Sequence, residues 1–239
     1  MQETVSAESA TILSIQVGQP EDAPATQSDG KRWTTGFLKR SATGPIRLGR
    51  LNFDGDGQAD LKHHGGPDKA VCVYPSAHYP LWRSELHLDF VPGGFGENLT
   101  VAGFVEDNVC IGDIWKIGNA KVQVSQPRQP CWKLSRWWNI EDLAMRVQRT
   151  GRTGWYLRVL EEGYLKAGAA ITLIDRPHCD WTIAAANELM HRDKKNLAAA
   201  SVLANLPELS ASWRATLTRR CHKQTESNPE RRLFGDMQH

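Results

Sequence analysis

Two stretches carry residue types that could do chemistry. The first is Gln126-Pro127-Arg128-Gln129-Pro130-Cys131-Trp132-Lys133-Leu134, a cysteine set among cations and stiffened by two prolines. Prolines 127 and 130 hold the backbone extended until Cys131 has passed, so a following helix begins after the cysteine. Arg128 and Lys133 stabilise a thiolate and lower the thiol pKa, as a nucleophile or a soft metal ligand requires. The second stretch runs Asp60-Leu61-Lys62-His63-His64-Gly65-Gly66-Pro67-Asp68-Lys69. Paired glycines let successive backbone N–H groups converge on an anion, and Lys62, His63, His64 and Lys69 add charge or donors around it. Adjacent histidines on an extended backbone point to opposite sides, so only one of the pair can line a given pocket.

Other metal readings fail on spacing. Asp54-Gly55-Asp56-Gly57-Gln58-Ala59-Asp60 starts like a calcium loop but has glycine at the second and fourth positions and no flanking helical pattern. The five cysteines, at 72, 110, 131, 179 and 221, form no C-x-x-C pair. They make neither a zinc ribbon nor a disulfide framework.

These stretches need elements to hold them. Thr11 to Val17 alternates apolar and polar residues as a strand does, and Trp33 to Leu38 and Ile46 to Phe53 offer further short strands. Ala70 to Tyr74 reads as a buried strand ended by Pro75, and Ser76 to Leu86 as a short helix capped by Ser76. Pro92 to Thr100 is a glycine-rich loop presenting Glu97 or Asn98 as hydrogen-bonding groups. Asp113–Ile117 and Lys121–Ser125 form a hairpin about Gly118-Asn119. Its alternation sends Val122 and Val124 inward and Lys121, Gln123 and Ser125 outward, and the hairpin delivers Gln126 to Cys131 to a fixed place. Asn139 is the expected N-cap of a helix running to about Thr150. Gly154–Leu160 and Ala169–Ile174 then read as a strand pair, with Arg158 on the face opposite the packed one. From Thr182 the pattern turns helical, over Thr182–His191, Lys194–Ala204 and Ser210–Cys221. From Lys223 the chain is polar, and disorder is expected. The expected organisation is a β-rich domain over 11–177, three helices over 181–222 and a polar tail over 223–239.

Composition removes several function classes. No apolar run reaches the length of a membrane span, and Met1 to Ala10 lacks the basic and apolar regions of a signal peptide, which predicts a cytoplasmic protein with no membrane partner. The net charge of +2 gives no bulk attraction for nucleic acid. Residues 201–239 hold six Lys/Arg against four Asp/Glu, too small an excess to make the helices a nucleic-acid-binding unit. Packing on the β domain, a homodimer contact or docking of a partner suits them better. No flavin, haem or iron–sulfur motif is present.

The order of the motifs is specific. DGQADLKHHGGPDKAV, GGFGENLT, GDIWKIG, QPRQPCWKL and GWYLRVL follow one another along the chain. In that order they resemble the MOSC-domain proteins (molybdenum cofactor sulfurase C-terminal domain), and within them the bacterial YiiM-like subfamily associated with resistance to 6-N-hydroxylaminopurine. The resemblance spans roughly residues 11 to 221. It implies a mainly β, MOSC-type barrel with flanking helices and a small C-terminal three-helix unit. It also implies a molybdopterin-type molybdenum cofactor and reduction of N-hydroxylated small molecules. Electrons would come from a separate reductase protein.

Cys131 falls where the family's metal-binding cysteine lies. The cofactor's terminal phosphate would suit Gly65, Gly66, Lys62, Lys69 and arginines such as Arg128 and Arg158. Asn98 and Gln126 are candidates for the pterin edge, and Asp60 for orienting Lys62 or a histidine. His63 or His64 is the candidate proton donor for N–O cleavage. Two rival readings stay open: a cofactor carrier without turnover, and a metal-free cysteine nucleophile or sulfur-transfer protein using Cys131.

Overall fold

The structure, a computed structural model, describes residues 10–23, 33–60, 64–226 and 228–235. Among the described residues twelve strands follow in chain order: β1 (Ala10–Val17), β2 (Glu21–Asp22), β3 (Thr34–Thr35), β4 (Arg40–Ser41), β5 (Ile46–Leu48), β6 (Val71–Pro75), β7 (Leu99–Ala102), β8 (Ile114–Ile117), β9 (Ala120–Pro127), β10 (Trp155–Glu161), β11 (Gly163–Leu165) and β12 (Ala170–Asp175). Seven of them form the barrel in the order β12-β8-β9-β10-β6-β7-β1. Pairing of Ala10 with Ile171 and Thr11 with Ala170 closes it. β4 continues from the far end of β1.

The barrel interior follows from the period of two. Val71, Val73, Leu99, Val101, Trp115, Val122, Val124, Trp155 and Leu157 are fully or almost fully buried in one core. Closure leaves no exposed sheet edge along most of the circuit, which suits a set of short strands. Neighbours around the ring are antiparallel except β6 and β7, where Val73 lies beside Leu99 in parallel register. A parallel pair needs a long crossover. Here it carries helix α1 (His78–Leu86) and the Pro92–Glu97 loop, both of which bear on the site.

A second apolar cluster lies outside the barrel. Tyr74, Tyr79, Trp82, Phe90 and Phe95 pack with Leu134 of α2 (Trp132–Trp138) and with Leu143 and Val147 of α3 (Leu143–Thr150). Tyr74 and Phe95 stack with ring centroids 4.2 Å apart. Much of the aromatic content therefore serves packing behind the cysteine stretch.

The expected three helices are α4 (Ile183–His191), α5 (Leu197–Ala204) and α6 (Ala211–Cys221). Thr182, Asn196 and Ser210 cap them, each accepting a backbone N–H through its side-chain oxygen. Their apolar residues Ile183, Ala186, Leu203, Trp213 and Leu217 join the barrel core.

Several sequence expectations are corrected. β10 and β12 are not partners. β10 sits between β9 and β6, while β11 leaves to pair with β5, so β12 returns against β8 and β1. Gln123 and Ser125 do point away from the barrel interior, yet both are buried. Asp68 and the start of α6 cover that face: Ser125 Oγ donates to the Asp68 carbonyl at 2.5 Å, and Ser125 O accepts from Ser210 N at 2.9 Å. Asn139 is the C-cap of α2 with φ +52°, a left-handed position asparagine tolerates, and α3 begins only after Asp142. Ser76 caps nothing with its side chain, since α1 starts at His78 behind Ala77. The polar tail contains a short helix, α7 (Glu230–Phe234), with Leu233 buried. Polarity hid it because its anchor is a single leucine.

Candidate functional site

β9 and β10 set the position of Cys131. Pro127 is paired with Trp155 at the end of β9, and the next residue, Arg128, donates its N–H to the Gly154 carbonyl at 3.0 Å. Gly154 has φ +67°, and a Cβ there would stand 2.2 Å from the Val73 carbonyl oxygen. Only glycine lets β10 and β6 meet so closely at this point. Cys131 itself is extended (φ −128°, ψ 166°) and is the N-cap of α2, where Leu134 N donates to its carbonyl at 3.0 Å. The two prolines and the helix start fall as the sequence predicts.

Cys131, His64 and Arg128 line one cavity of about 90 Å³ with Phe37, Phe95 and Tyr156. Burial alone would raise the Cys131 thiol. The hydrogen bond and charge of His64, then the Arg128 guanidinium and the Lys133 backbone N–H, outweigh it and bring the thiol down to about 7. Cys72 lines the same cavity and is pushed up to about 11, by burial first and foremost. Burial likewise raises the Tyr156 phenol. One cavity thus holds one thiol poised to ionise at neutral pH and one that stays protonated.

Arg128 is 6% exposed. Its Nη2 donates to the Phe95 carbonyl at 2.7 Å, and among the described residues its buried Nη1 has no hydrogen-bond partner. An orphaned guanidinium nitrogen in a buried setting is costly unless an anion or acceptor fills the gap. Lys39, which also lines the cavity, is ion-paired with the buried Asp56. Asp56 also accepts from Gly18 N at 3.0 Å and from Asn98 Nδ2 at 2.8 Å.

The remaining expected residues disperse. Lys62 and His63 lie outside the described residues. Asp60 contributes its carbonyl, which accepts His64 N at 2.9 Å and closes the turn presenting the histidine. Gly66 has φ +92° and opens the single turn Pro67–Lys69, but neither it nor Gly65 lines the cavity. Lys69 is half-buried, and burial lowers its pKa against the pull of Asp68 and Asp60. Asn98 ties strands together: Oδ1 accepts Cys72 N at 3.0 Å and Nδ2 donates to the Gln16 carbonyl at 3.2 Å. Gln126 belongs to the contact between barrel and α6, where Oε1 accepts Ser212 Oγ at 3.1 Å. Arg158 is ion-paired with Asp68 at 2.7 Å and bonded to Gln123 at 3.1 Å on the covered outer face.

Sequence reasoning missed Phe37, Lys39, Cys72 and Tyr156. A partial signal existed for two. Cys72 and Tyr156 alternate with core residues on β6 and β10, and they are direct cross-strand partners, so both side chains leave the barrel on the same side. The strand pairing that brings them together was not readable.

Glu97 organises the Gly-rich loop behind the cavity. Its carboxylate accepts from Gly93 N at 2.7 Å, Phe95 N at 3.1 Å, Thr100 Oγ1 at 2.8 Å and the Tyr79 hydroxyl. This holds the Phe95 carbonyl, and so Arg128, in place. Among the described residues no helix is long and apolar enough to cross a membrane. No group of three His, Cys, Asp or Glu among them could enclose a metal ion.

Comparison with known proteins agrees with this geometry. The MOSC domain profile matches residues 60–172, and the YiiM-like, 3-alpha helix domain profile matches residues 181–224. The chain is 47% identical over 210 residues to the protein YflK of Bacillus subtilis, covering 88% of this chain and 94% of that one. A protein of Gibberella moniliformis named Reductase is 37% identical over 158 residues, 64% of this chain and 28% of that one. The crystal structure of YiiM from Geobacillus stearothermophilus superposes with a TM-score of 0.75 at 38% identity, covering 89% of this chain and 99% of that chain. With its barrel, its cysteine-bearing loop and its appended helices, the chain belongs to the MOSC-domain family and carries the YiiM-like three-helix extension.

Proposed function

We propose that this protein binds a molybdenum cofactor, with Cys131 as the protein's ligand to the metal, and reduces N-hydroxylated compounds such as 6-N-hydroxylaminopurine. The observation that carries the reading is the pairing of an ionisable thiol with an orphaned buried arginine in one cavity. A soft metal prefers a thiolate, and an anionic cofactor needs a cation whose hydrogen bonds are not already spent. Among the described residues no other His, Cys, Asp or Glu groups with Cys131 into a metal site. A metal held there would take its further ligands from outside these residues, as a metal already carried on a cofactor does.

Cys131 and Arg128 would hold the group, with the Arg128 Nη1 donating to it. When bound, the cofactor would supply two-electron chemistry at a substrate N–O bond. The overall reduction adds two electrons and two protons to R–NHOH and releases R–NH2 and water. His64, hydrogen-bonded to the Cys131 thiol, is the residue that holds a proton beside the reacting end. Phe37, Phe95 and Tyr156 line the cavity with aromatic faces that suit a flat substrate or pterin.

Electrons would come from a separate reductase, because the chain carries no motif for a redox group of its own. The Gibberella relative named Reductase supports the oxidoreductase class. Its matched region is 28% of that protein, which leaves most of it for other tasks. The test is elemental analysis of protein from a cofactor-competent host, beside Cys131→Ala. Stoichiometric molybdenum that disappears in the variant is expected. Full occupancy in the variant refutes the ligand. Bound cofactor with no reduction of hydroxylaminopurine by a competent donor would leave a carrier.

A further inference from the structure

Helix α7 lies beyond both family profiles, which end at residues 172 and 224. It packs against α2, the helix that starts at Cys131, and against α3. Leu233 is 5% exposed, and a Cβ at Gly235 would stand 3.1 Å from the Trp132 ring. From this helix the Arg232 side chain reaches back along the cysteine loop. Nη1 donates to the carbonyl of Pro130, the residue before Cys131, and Nη2 donates to Gln148 Oε1 at 2.6 Å.

Both acceptors are neutral. Among the described residues Arg232 has no carboxylate partner, and the same holds for Arg128. Three other arginines drawn out of water each meet a carboxylate: Arg158 with Asp68, Arg176 with Asp113, and Arg220 with Glu226. A cation withdrawn from water without a counter-ion is a standing cost. Two such cations converge on a single loop, Arg128 within it and Arg232 bonded to the residue before Cys131.

We infer that α7 is a strap that completes the cofactor site, and that Arg232 is its positioning residue. It fixes the backbone at Pro130 and supplies positive charge that an anionic cofactor at Cys131 offsets. The inference rests on the proposed cofactor reading and adds a consequence to it. If bound anion and docked strap stabilise each other, each must favour the other to the same degree. Loaded protein then holds α7 more firmly than cofactor-free protein.

The experiment uses full-length protein from a cofactor-competent host and from a host blocked in cofactor synthesis. Limited trypsin digestion followed by mass spectrometry reads cleavage at Arg231 and Arg232. Cleavage several-fold slower in the loaded protein is expected. In parallel, loss of molybdenum on dialysis is followed for wild type, Arg232→Gln and Arg232→Lys. Removing a group that orients a metal ligand typically weakens retention about tenfold or more, so Arg232→Gln should lose metal about tenfold faster. Arg232→Lys, which keeps the charge, should stay close to wild type. Retention in Arg232→Gln equal to wild type, or cleavage independent of cofactor, overturns the strap while leaving the Cys131 ligand standing. Equal loss in Arg232→Lys and Arg232→Gln overturns the role of the charge. Wild type without molybdenum overturns both readings.

Discussion

Replacing His64 by asparagine should produce crossing rate curves for Cys131. The thiol lies at about 7 against an ordinary 9.0, and His64 heads the groups that lower it. At pH 7 a thiol of pKa 7 is half ionised, whereas one returned to 9.0 is ionised in about one molecule in a hundred, a loss of about fiftyfold. The more basic thiolate is the better nucleophile, by about eightfold across that gap. If asparagine restores the ordinary value, cofactor-free variant should therefore alkylate about sixfold more slowly than wild type at pH 7. At pH 10, where both are ionised, it should alkylate several-fold faster. The assay is iodoacetamide labelling with the Cys131 peptide quantified by mass spectrometry across pH 5 to 10, which separates it from the exposed Cys179. Curves that keep a constant ratio at every pH would mean His64 governs access rather than ionisation, and the assignment would fall. The same lowering ties stability to pH. The folded value lies below the unfolded one, so the thiolate adds at most about 2–3 kcal/mol above pH 9, less as pH falls toward 7, and nothing below. Cys131→Ser should erase that slope in cofactor-free protein.

Three further outcomes follow from the geometry. Glu97→Gln presents an N–H to a pocket of donors, so it should cost about 2–3 kcal/mol in urea denaturation and loosen Arg128 through Phe95. Gly154→Ala should cost about 2 kcal/mol or more, because the new Cβ meets the Val73 carbonyl at positive φ; an unchanged midpoint would contradict the close approach. Arg158→Ala should destabilise by about 1–3 kcal/mol by removing the cation bonded to Asp68, while leaving molybdenum content unchanged. Loss of metal in that variant would return Arg158 to the cofactor site.

Six of the seven barrel strands, the Gly118-Asn119 hairpin and the three capped helices were legible because each is a local pattern; β7 was not, since it begins within the stretch read as a glycine-rich loop. Alternating Val122 and Val124, or Ser210 before an apolar turn, needs no knowledge of the rest of the chain. Cys131 was legible for the same reason, since its prolines and cations are sequence neighbours. Arg158, Asn98 and Gln126 were assigned to a cofactor because each is a polar residue within a family motif. Their partners Asp68, Asp56 and Ser212 lie far along the chain, and only the folded topology pairs them. Cys72 and Lys39 escaped notice because nothing beside them in the sequence marks a site; only the fold brings them to the cavity. Asn139 shows a third kind of failure. Asparagine suits both ends of a helix, and tertiary packing of α2 decided which end it took.

The shared core bears on the order in which the molecule can be made. The last barrel strand, β12, ends at Asp175, yet Trp213 and Leu217 belong to the same buried cluster as Val122 and Trp155. A nascent chain that has released every barrel strand still lacks the apolar side chains of Trp213 and Leu217 that complete this cluster. Synthesis from β12 to α6 is therefore an interval in which apolar surface waits for its cover. Slowing translation across residues 176–217 should lengthen exposure to chaperones and proteases, whereas slowing it earlier should not.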